Sequence, residues 1–391
     1  MNDMWQEKEN LGSMSPVFQQ LANYLDSLPA GYPPSESGVE LRILRHLFTE
    51  EEAHLALHLT LINESARVVA YRAKKPVDTV SSLLQGMANK GLVSEKRAEN
   101  RLPAYAINQF VVGFWEGQVN RLDEEIVFLF NEYSAVYFEK GPWRDLPQMR
   151  TIPSHEAIPT TSEVMPYNLI EEILRSKKLI AVRNCVCRQE HQLAGNGCNN
   201  ILEACFSFDG AAQSTVETGK GRYIELDEAI SVLEKAKKDG LVLQPANSQN
   251  PIFLCVCCKC CCGVLTHIKN HPEPGSLVYN PYYADFNNAL CLSCGACVKI
   301  CPMEALTRSR DGSICFNQLR CIGCGLCVTV CPSKAVRIVP KTVSLQSRTP
   351  RNTLHTYLKL AFKRKSWNIF DLGSLILRSL VDRVGSLWFT R

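Results

Sequence analysis

Cysteine is the residue type in this sequence with the most potential for chemistry, and it is confined to one part of the chain. All 19 cysteines of the 391 residues lie between Cys185 and Cys331. The odd number, and adjacent residues such as Cys257 and Cys258, argue against a framework of disulfides. The first residues contain no apolar core of a secretory signal, so we expect a cytoplasmic protein whose thiols stay reduced. Dense reduced cysteines usually bind metal.

The clearest metal-binding pattern occurs twice, in two segments that are 30 residues apart. Residues 290–306 read LCLSCGACVKICPMEAL, and residues 320–336 read RCIGCGLCVTVCPSKAV. Each copy has the spacing C-x2-C-x2-C-x3-C-P, in which three thiolates of one turn hold a [4Fe–4S] cluster and the fourth cysteine reaches the cluster of the other copy. Zinc prefers one closed site of four thiolates, which does not account for two interlocked sets.

This repeat resembles the bacterial two-cluster ferredoxin domain over about residues 276–340. Carried onto this sequence, the pattern assigns the first cluster to Cys291, Cys294, Cys297 and Cys331. The ligands of the second cluster are then Cys321, Cys324, Cys327 and Cys301. Since such clusters accept and donate single electrons, the resemblance implies an electron-transfer protein with two [4Fe–4S] cofactors rather than a stand-alone enzyme.

Ten further cysteines lie before the repeat, in two groups that a ferredoxin does not need. The first group is Cys185, Cys187, Cys198 and Cys205, and the second is Cys255, Cys257, Cys258, Cys260, Cys261 and Cys262. Four thiolates complete one cubane, so ten could supply one further cluster with spare ligands, or two. We predict a third metal centre in which not all ten ligate, with iron–sulfur favoured over zinc and thiol–disulfide chemistry as the other alternative. The last cysteine, Cys315, is expected to be a buried small hydrophobic residue.

Local geometry gives an expectation for the directions of these side chains. In extended backbone, residues i and i+2 share one face, so Cys185 and Cys187 should project together. The same rule divides the second group into two faces, with Cys255 and Cys257 on one and Cys258, Cys260 and Cys262 on the other.

The cysteine region as a whole is similar to that of a known group of proteins. Its order is C-x-C-R, two later cysteines, a helix ending at Gly240, and then C-x-C-C-x-C-C. This order resembles uncharacterised cytosolic [4Fe–4S]-binding proteins of anaerobes, which join a winged-helix-like N-terminal segment to a C-terminal two-cluster ferredoxin. The resemblance covers about residues 39–340 and implies a redox function without a defined substrate.

The elements that must position these cysteines are predicted from apolar spacing and turn residues. Helical spacing from Val39, a helix from Pro76 to Lys90 and two strands around a charged loop follow the order of a winged helix-turn-helix. Three prolines predict a linker over residues 151–166. The sequence therefore predicts an α+β multidomain protein with five segments. They are an N-terminal arm or linker (1–38), a winged-helix-like and helical domain (39–150), a cysteine-rich metal domain (151–275), a two-cluster ferredoxin-type domain (276–340) and a basic amphipathic helical tail (341–391).

Charge is distributed unevenly along the chain and limits the choice of partners. Residues 1–184 contain 19 Lys and Arg against 24 Asp and Glu, a net charge of −5, which opposes attraction to nucleic acid. Residues 341–391 contain 10 basic and 2 acidic residues, a net charge of +8. We expect the winged-helix-like domain to dock protein rather than DNA. The tail could lie on an anionic membrane at its inner face, dock on a partner subunit or fold over the chain's own core.

Two functional hypotheses from different classes follow. The first is an iron–sulfur protein that relays electrons through two [4Fe–4S] clusters, with a third centre, to or from a partner oxidoreductase. The second is a redox-responsive regulator whose cluster state controls a winged helix that binds DNA or protein. A catalytic third centre would make the protein an enzyme subunit, but the sequence identifies no catalytic residue.

Overall fold

A computed structural model describes residues 15–98, 101–141, 143, 146–153, 168–341, 349–364 and 367–389. The chain divides into two compact units, one formed by Met1–Pro142 with Ala361–Arg391 and the other by Trp143–Leu360. Most of the linker predicted at residues 151–166, and the start of the N-terminal arm, lie outside the described residues. Helices and antiparallel sheets occur together, which confirms a mixed α and β protein.

The first unit begins with helices and a small sheet. Its elements up to residue 140 are α1 (Pro16–Ser27), α2 (Val39–Leu47), α3 (Glu50–Ala56), β1 (Glu64–Ser65), α4 (Ala66–Ala73), α5 (Val77–Asn89), β2 (Val93–Ala98), β3 (Arg101–Ile107) and α6 (Glu124–Lys140). The strands form an antiparallel sheet in the order β1, β3, β2. Leucines alternate after residue 54, which would also suit a strand, but a capping box between Thr49 and Glu52 begins a helix there.

Aromatic side chains fill the centre of the first unit. Trp115 stacks on Phe130 of α6 with the ring centroids 3.6 Å apart. Tyr133 is fully buried, and its hydroxyl donates a hydrogen bond to the Pro33 carbonyl at 2.9 Å. This bond fixes part of the Pro- and Gly-rich segment that follows α1.

The second unit contains a five-stranded antiparallel sheet with helices in its connections. The elements are α7 (Ile170–Arg175), β4 (Ile180–Asn184), α8 (Val186–Leu193), β5 (Glu203–Phe208), α9 (Gly210–Glu217), β6 (Gly221–Tyr223), α10 (Leu226–Lys238), β7 (Val242–Pro245) and β8 (Phe253–Cys257). The strand order is β6, β4, β5, β8, β7. Ile173 of α7 and Leu233 of α10 join Phe206 of β5 in one apolar core, so these helices cover the sheet.

The rest of the second unit is built from a repeated pattern of strand, cysteine loop and short helix. It contains α11 (Gly263–Asn270), β9 (Tyr282–Phe286), α12 (Ala296–Ile300), β10 (Leu306–Arg308), β11 (Ile314–Phe316), α13 (Leu326–Thr329) and β12 (Val336–Pro340). β9 pairs with β12, and β10 pairs with β11, both antiparallel. Gly295 and Gly325 precede the two short helices with φ of 77° and 75°, a left-handed conformation that glycine adopts at little cost.

The C-terminal helices are α14 (Thr353–Arg364) and α15 (Ile369–Ser386), and α15 packs against α4 within the first unit. Ser379 donates a hydrogen bond to the buried Glu64 carboxylate at 2.7 Å, and Arg72 donates to Asp382 at 2.8 Å. The polar face of α15 therefore faces inward. Its outer face exposes large apolar side chains, namely Leu377, Leu380, Val381 and Val384. No helix in the described ranges is long and apolar enough to cross a membrane.

Candidate metal centres

The repeated loops bring together three of the four cysteines of the first predicted cluster, namely Cys291, Cys297 and Cys331. Cys291 and Cys294 lie in the loop before α12, and Cys297 lies in its first turn. Burial raises the pKa of the Cys297 thiol, and the neighbouring Cys291 and Cys331 raise it further. Cys331 comes from the other copy of the motif, so one sulfur of this set is contributed across the repeat.

The second predicted set is assembled in the same way, with Cys301 contributed by the first copy. Burial raises the pKa of the Cys324 thiol, and Cys301 and Cys321 raise it further. Burial also raises the pKa of the Cys327 thiol, whose electrostatic neighbours include Cys324, Cys321 and Cys301. The role of both sets as cluster ligands stays a prediction from the motif.

Backbone amides point at several of these sulfurs. The donor and acceptor pairs are Ser293 N–H to Cys291 Sγ at 3.3 Å, Ala305 N–H to Cys301 Sγ at 3.3 Å and Ala284 N–H to Cys321 Sγ at 3.5 Å. Such hydrogen bonds stabilise thiolates and tune the reduction potential of a cluster bound to them.

Six of the ten remaining cysteines form a closed ring in which each side chain has two others of the set as interaction partners, called here the six-cysteine ring. In order around it they are Cys185, Cys187, Cys262, Cys257, Cys255 and Cys205, and the last contacts the first. Cys205 of β5 is directly opposite Cys255 of β8 in the sheet. Cys185 and Cys262 immediately precede α8 and α11. The ring thus joins two adjacent strands to the starts of two helices.

Neighbouring thiols shift the pKa of each cysteine in the ring. Hydrogen bonds from Cys187 and Cys205 lower the pKa of the Cys185 thiol, and those from Cys205 and Cys257 lower the pKa of Cys255 to about 5. The pKa of Cys262 is lowered in the same way, whereas the donating thiols have raised pKa values. Metal ligands must be deprotonated, so a metal cluster bound by these thiols would displace their protons.

Two buried charged residues on α8 lie beside the ring. Arg188 is 1% exposed and donates to the Val256 carbonyl at 2.9 Å, and although burial opposes its charge, Cys185 and Cys258 raise its pKa. Burial, then the nearby Cys185 and Cys262, raise the pKa of Glu190 to about 8. The C-x-C-R order placed Arg188 beside the first pair of cysteines, but the sequence analysis did not single out Glu190. Its position three residues after Cys187, on one helix face, was an available signal.

The other four cysteines form a separate group, called here the four-cysteine site, comprising Cys198, Cys258, Cys260 and Cys261. Their Sγ atoms all lie within 4.8 Å of one another. The distance from Cys198 to Cys258 is 3.9 Å, and that from Cys260 to Cys261 is 3.7 Å. Cys198 follows α8, and the other three follow β8 in a turn. A group of thiols this close can hold a metal ion.

Two expectations about individual cysteines are wrong. Alternation along an extended strand placed Cys262 with Cys258 and Cys260, but β8 ends at Cys257 and the chain then turns. Cys262 consequently joins the six-cysteine ring, and Cys261 takes its place beside Cys260. Cys315 is exposed rather than buried, because it lies on the outer face of the short β11.

Two antiparallel strand pairs, with two cysteine loops that exchange a ligand, define a ferredoxin-like iron–sulfur domain. Residues 286–341 match the family model of the 4Fe-4S dicluster domain, so this part of the chain is a ferredoxin-like 4Fe–4S domain. No curated protein and no solved structure gives a match to the chain. The relation to the uncharacterised proteins of anaerobes stays a prediction.

Proposed function

We propose that this protein relays single electrons through two [4Fe–4S] clusters in its ferredoxin-like domain, and through a third iron–sulfur centre in the six-cysteine ring, to or from a partner oxidoreductase. The clusters, when bound, supply reversible one-electron chemistry. The chain's own residues hold them, exclude water and set their order.

The observation that carries this proposal is an apolar core shared by the ring and the ferredoxin-like domain. Cys257 and Cys262 of the ring belong to one buried cluster of side chains, and Cys301 and Cys324 of the second ligand set pack against it. Cys331, from the first ligand set, packs on a different core that includes Tyr282 and Ile338. This supports an electron path from the ring to the second cluster and then to the first.

The iron content of protein purified without oxygen tests the third centre. At four irons per cubane, two clusters give about eight irons per chain and three give about twelve. We expect about twelve, and we expect Cys187→Ser and Cys262→Ser each to lose about four while the reduced protein keeps the electron paramagnetic resonance signals of the ferredoxin clusters.

Cys315→Ser is the matched control. Cys315 is exposed and belongs neither to the six-cysteine ring nor to the group formed by the other four of the ten cysteines. It should keep about twelve irons. Wild-type protein with about eight irons, unchanged in both ring variants, would remove the third centre from the relay.

We also propose that the first unit docks a redox partner protein. The order α3, β1, α4, α5, β2, β3 supports the interpretation of this segment as a winged helix. In a helix-turn-helix the second helix usually reads DNA, and here that helix would be α5. Here Lys75 and Lys90, at either end of α5, pair with Glu51 and Glu52 at 2.7 Å each. Cations paired in this way attract phosphate less, which supports a protein partner and gives no support to the regulator that binds DNA.

A specific observation favours peripheral membrane contact through α15. Its outer face exposes apolar side chains, including Leu380 at 56% and Val384 at 62%, although its inward face is polar. Residues 341–391 carry a net charge of +8. An exposed apolar stripe in a basic segment suits an anionic bilayer surface.

A further inference from the structure

The four-cysteine site differs in kind from the other cysteine groups. Among the described residues, it is the group of three or more potential ligands whose donor atoms all lie within 4.8 Å of one another. No three sulfurs of the six-cysteine ring form such a group. The ring therefore surrounds a wider space, whereas the four sulfurs converge on one point.

The sulfur–sulfur distances indicate how many metal ions fit at that point. Zinc lies about 2.3 Å from each thiolate in a tetrahedral site, which places the sulfurs about 3.8 Å apart. The distances from Cys198 to Cys258 and from Cys260 to Cys261 are 3.9 and 3.7 Å. A cubane holds its thiolates farther apart, because four irons lie between them.

The surroundings of the four sulfurs suit a bound cation that needs thiolates. Asn200 Nδ2 donates a hydrogen bond to Cys198 Sγ at 3.1 Å. The buried Arg188 guanidinium is an electrostatic partner of the Cys258 sulfur. Donors of this kind orient metal-bound thiolates and offset their charge.

We propose that Cys198, Cys258, Cys260 and Cys261 bind a single Zn²⁺ ion in a closed tetrahedral site, separate from the six-cysteine ring. Four protein thiolates leave no open position, so the role is structural. The ion ties the loop after α8 to the turn between Cys257 and Cys262, and thereby holds two ligands of the ring in place.

Zinc content of the full-length chain, purified without oxygen from cells supplied with iron and zinc, tests this site. We expect about one zinc per chain. Cys260→Ser and Cys198→Ser should each lower it at least about ten-fold, because three thiolates bind zinc far more weakly than four, and both should keep the iron of the ferredoxin-like domain. Cys315→Ser should leave zinc and iron unchanged.

A measurement on the unsubstituted chain guards against variants that fail to fold. Growth with Co²⁺ in place of zinc should give the visible ligand-field and sulfur-to-cobalt charge-transfer bands of tetrahedral tetrathiolate cobalt. The proposal would be overturned if the wild-type protein contained no zinc, or if both variants kept their zinc. It would also be overturned if Cys260→Ser lost iron and not zinc. Because the ring variants report on iron and these report on zinc, the third iron–sulfur centre can fail while the zinc site stands, and the reverse.

Discussion

Arg188 lies where the two groups of the cysteine-rich region meet. Arg188 is not a solvated surface cation, because it is only 1% exposed. Its electrostatic partners are Cys185 of the ring and Cys258 of the four-cysteine site. Its guanidinium also donates to the carbonyls of Ile201 and Val256. One side chain thus offsets thiolate charge and connects β8 with the loop after α8.

Replacing Arg188 should disturb both centres. Arg188→Met removes the cation and leaves two buried carbonyls unpaired, at about 1–3 kcal/mol each, so we expect loss of about four irons and of zinc. Arg188→Lys keeps the charge but not the planar fork, and should retain more metal than the Met variant. Metal content and thermal unfolding measure the effect.

Arg222→Met is the control, because Arg222 is an exposed partner of Glu203 and Glu228. A solvent-exposed ion pair contributes little to stability, so metal content should not change. Equal metal loss in the Arg222 and Arg188 variants would show that Arg188 has no special role.

At the scale of elements, α15 presents its faces in the reverse of the usual order. A surface helix normally buries its apolar stripe and exposes its polar one. Here the buried Glu64 carboxylate accepts from Arg72, Thr60 and Ser379, and Arg72 also binds Asp382. A buried carboxylate needs these donors, so the polar face of α15 is held inward. The apolar face therefore points outward and is exposed.

A charge on the apolar face of α15 should weaken membrane binding. We expect the full chain to bind anionic vesicles, and Leu380→Glu with Val384→Glu to reduce that binding at least about ten-fold, since two apolar contacts are lost and two negative charges face anionic lipid. Co-sedimentation with phosphatidylserine-containing and neutral vesicles measures it.

Ile252→Glu provides the comparison, because Ile252 is also exposed, at 42%, but lies before β8 in the other unit. That variant should bind vesicles as the wild type does. Binding that survives the double substitution, or that is the same on neutral vesicles, would refute membrane contact through this helix.

At the scale of the whole molecule, all metal chemistry belongs to one of the two compact units. The 19 cysteines lie in Trp143–Leu360, and the other unit has none. The core of the first unit is aromatic and aliphatic, with Trp115, Phe130 and Tyr133 buried. Its folding free energy therefore contains no contribution from thiolate–metal bonds, whereas that of the second unit includes cluster binding by the ferredoxin-like domain.

Removal of metal from the full chain should loosen one unit selectively. After chelation without oxygen, hydrogen exchange should rise about ten-fold or more in β4, β5, β8 and residues 282–338. The reason is that the cysteines in and beside these segments lose the metal that links them. Exchange in α1 to α6 should stay unchanged. A comparable rise in α6 would contradict independent folding of the two units.

The parts of the structure that the sequence predicts well are those fixed by short-range spacing. The dicluster loops depend on cysteines within a few residues and on Gly295 and Gly325, so the ferredoxin-like domain was predictable. The division of the ten other cysteines was not, because it depends on the pairing of Cys205 with Cys255 and on the turn after Cys257. Periodicity likewise predicted the two faces of α15, but only the buried Glu64 decides which face is inward.

The boundary between the two groups of cysteines is a single peptide bond. Cys257 belongs to the six-cysteine ring and Cys258 to the four-cysteine site, and both are buried. If both proposed sites bind metal, an ion held by either residue restrains the backbone of the other through this bond. We then expect the first ion bound to preorganise ligands for the second, so that the order of metal delivery affects how readily each site is filled.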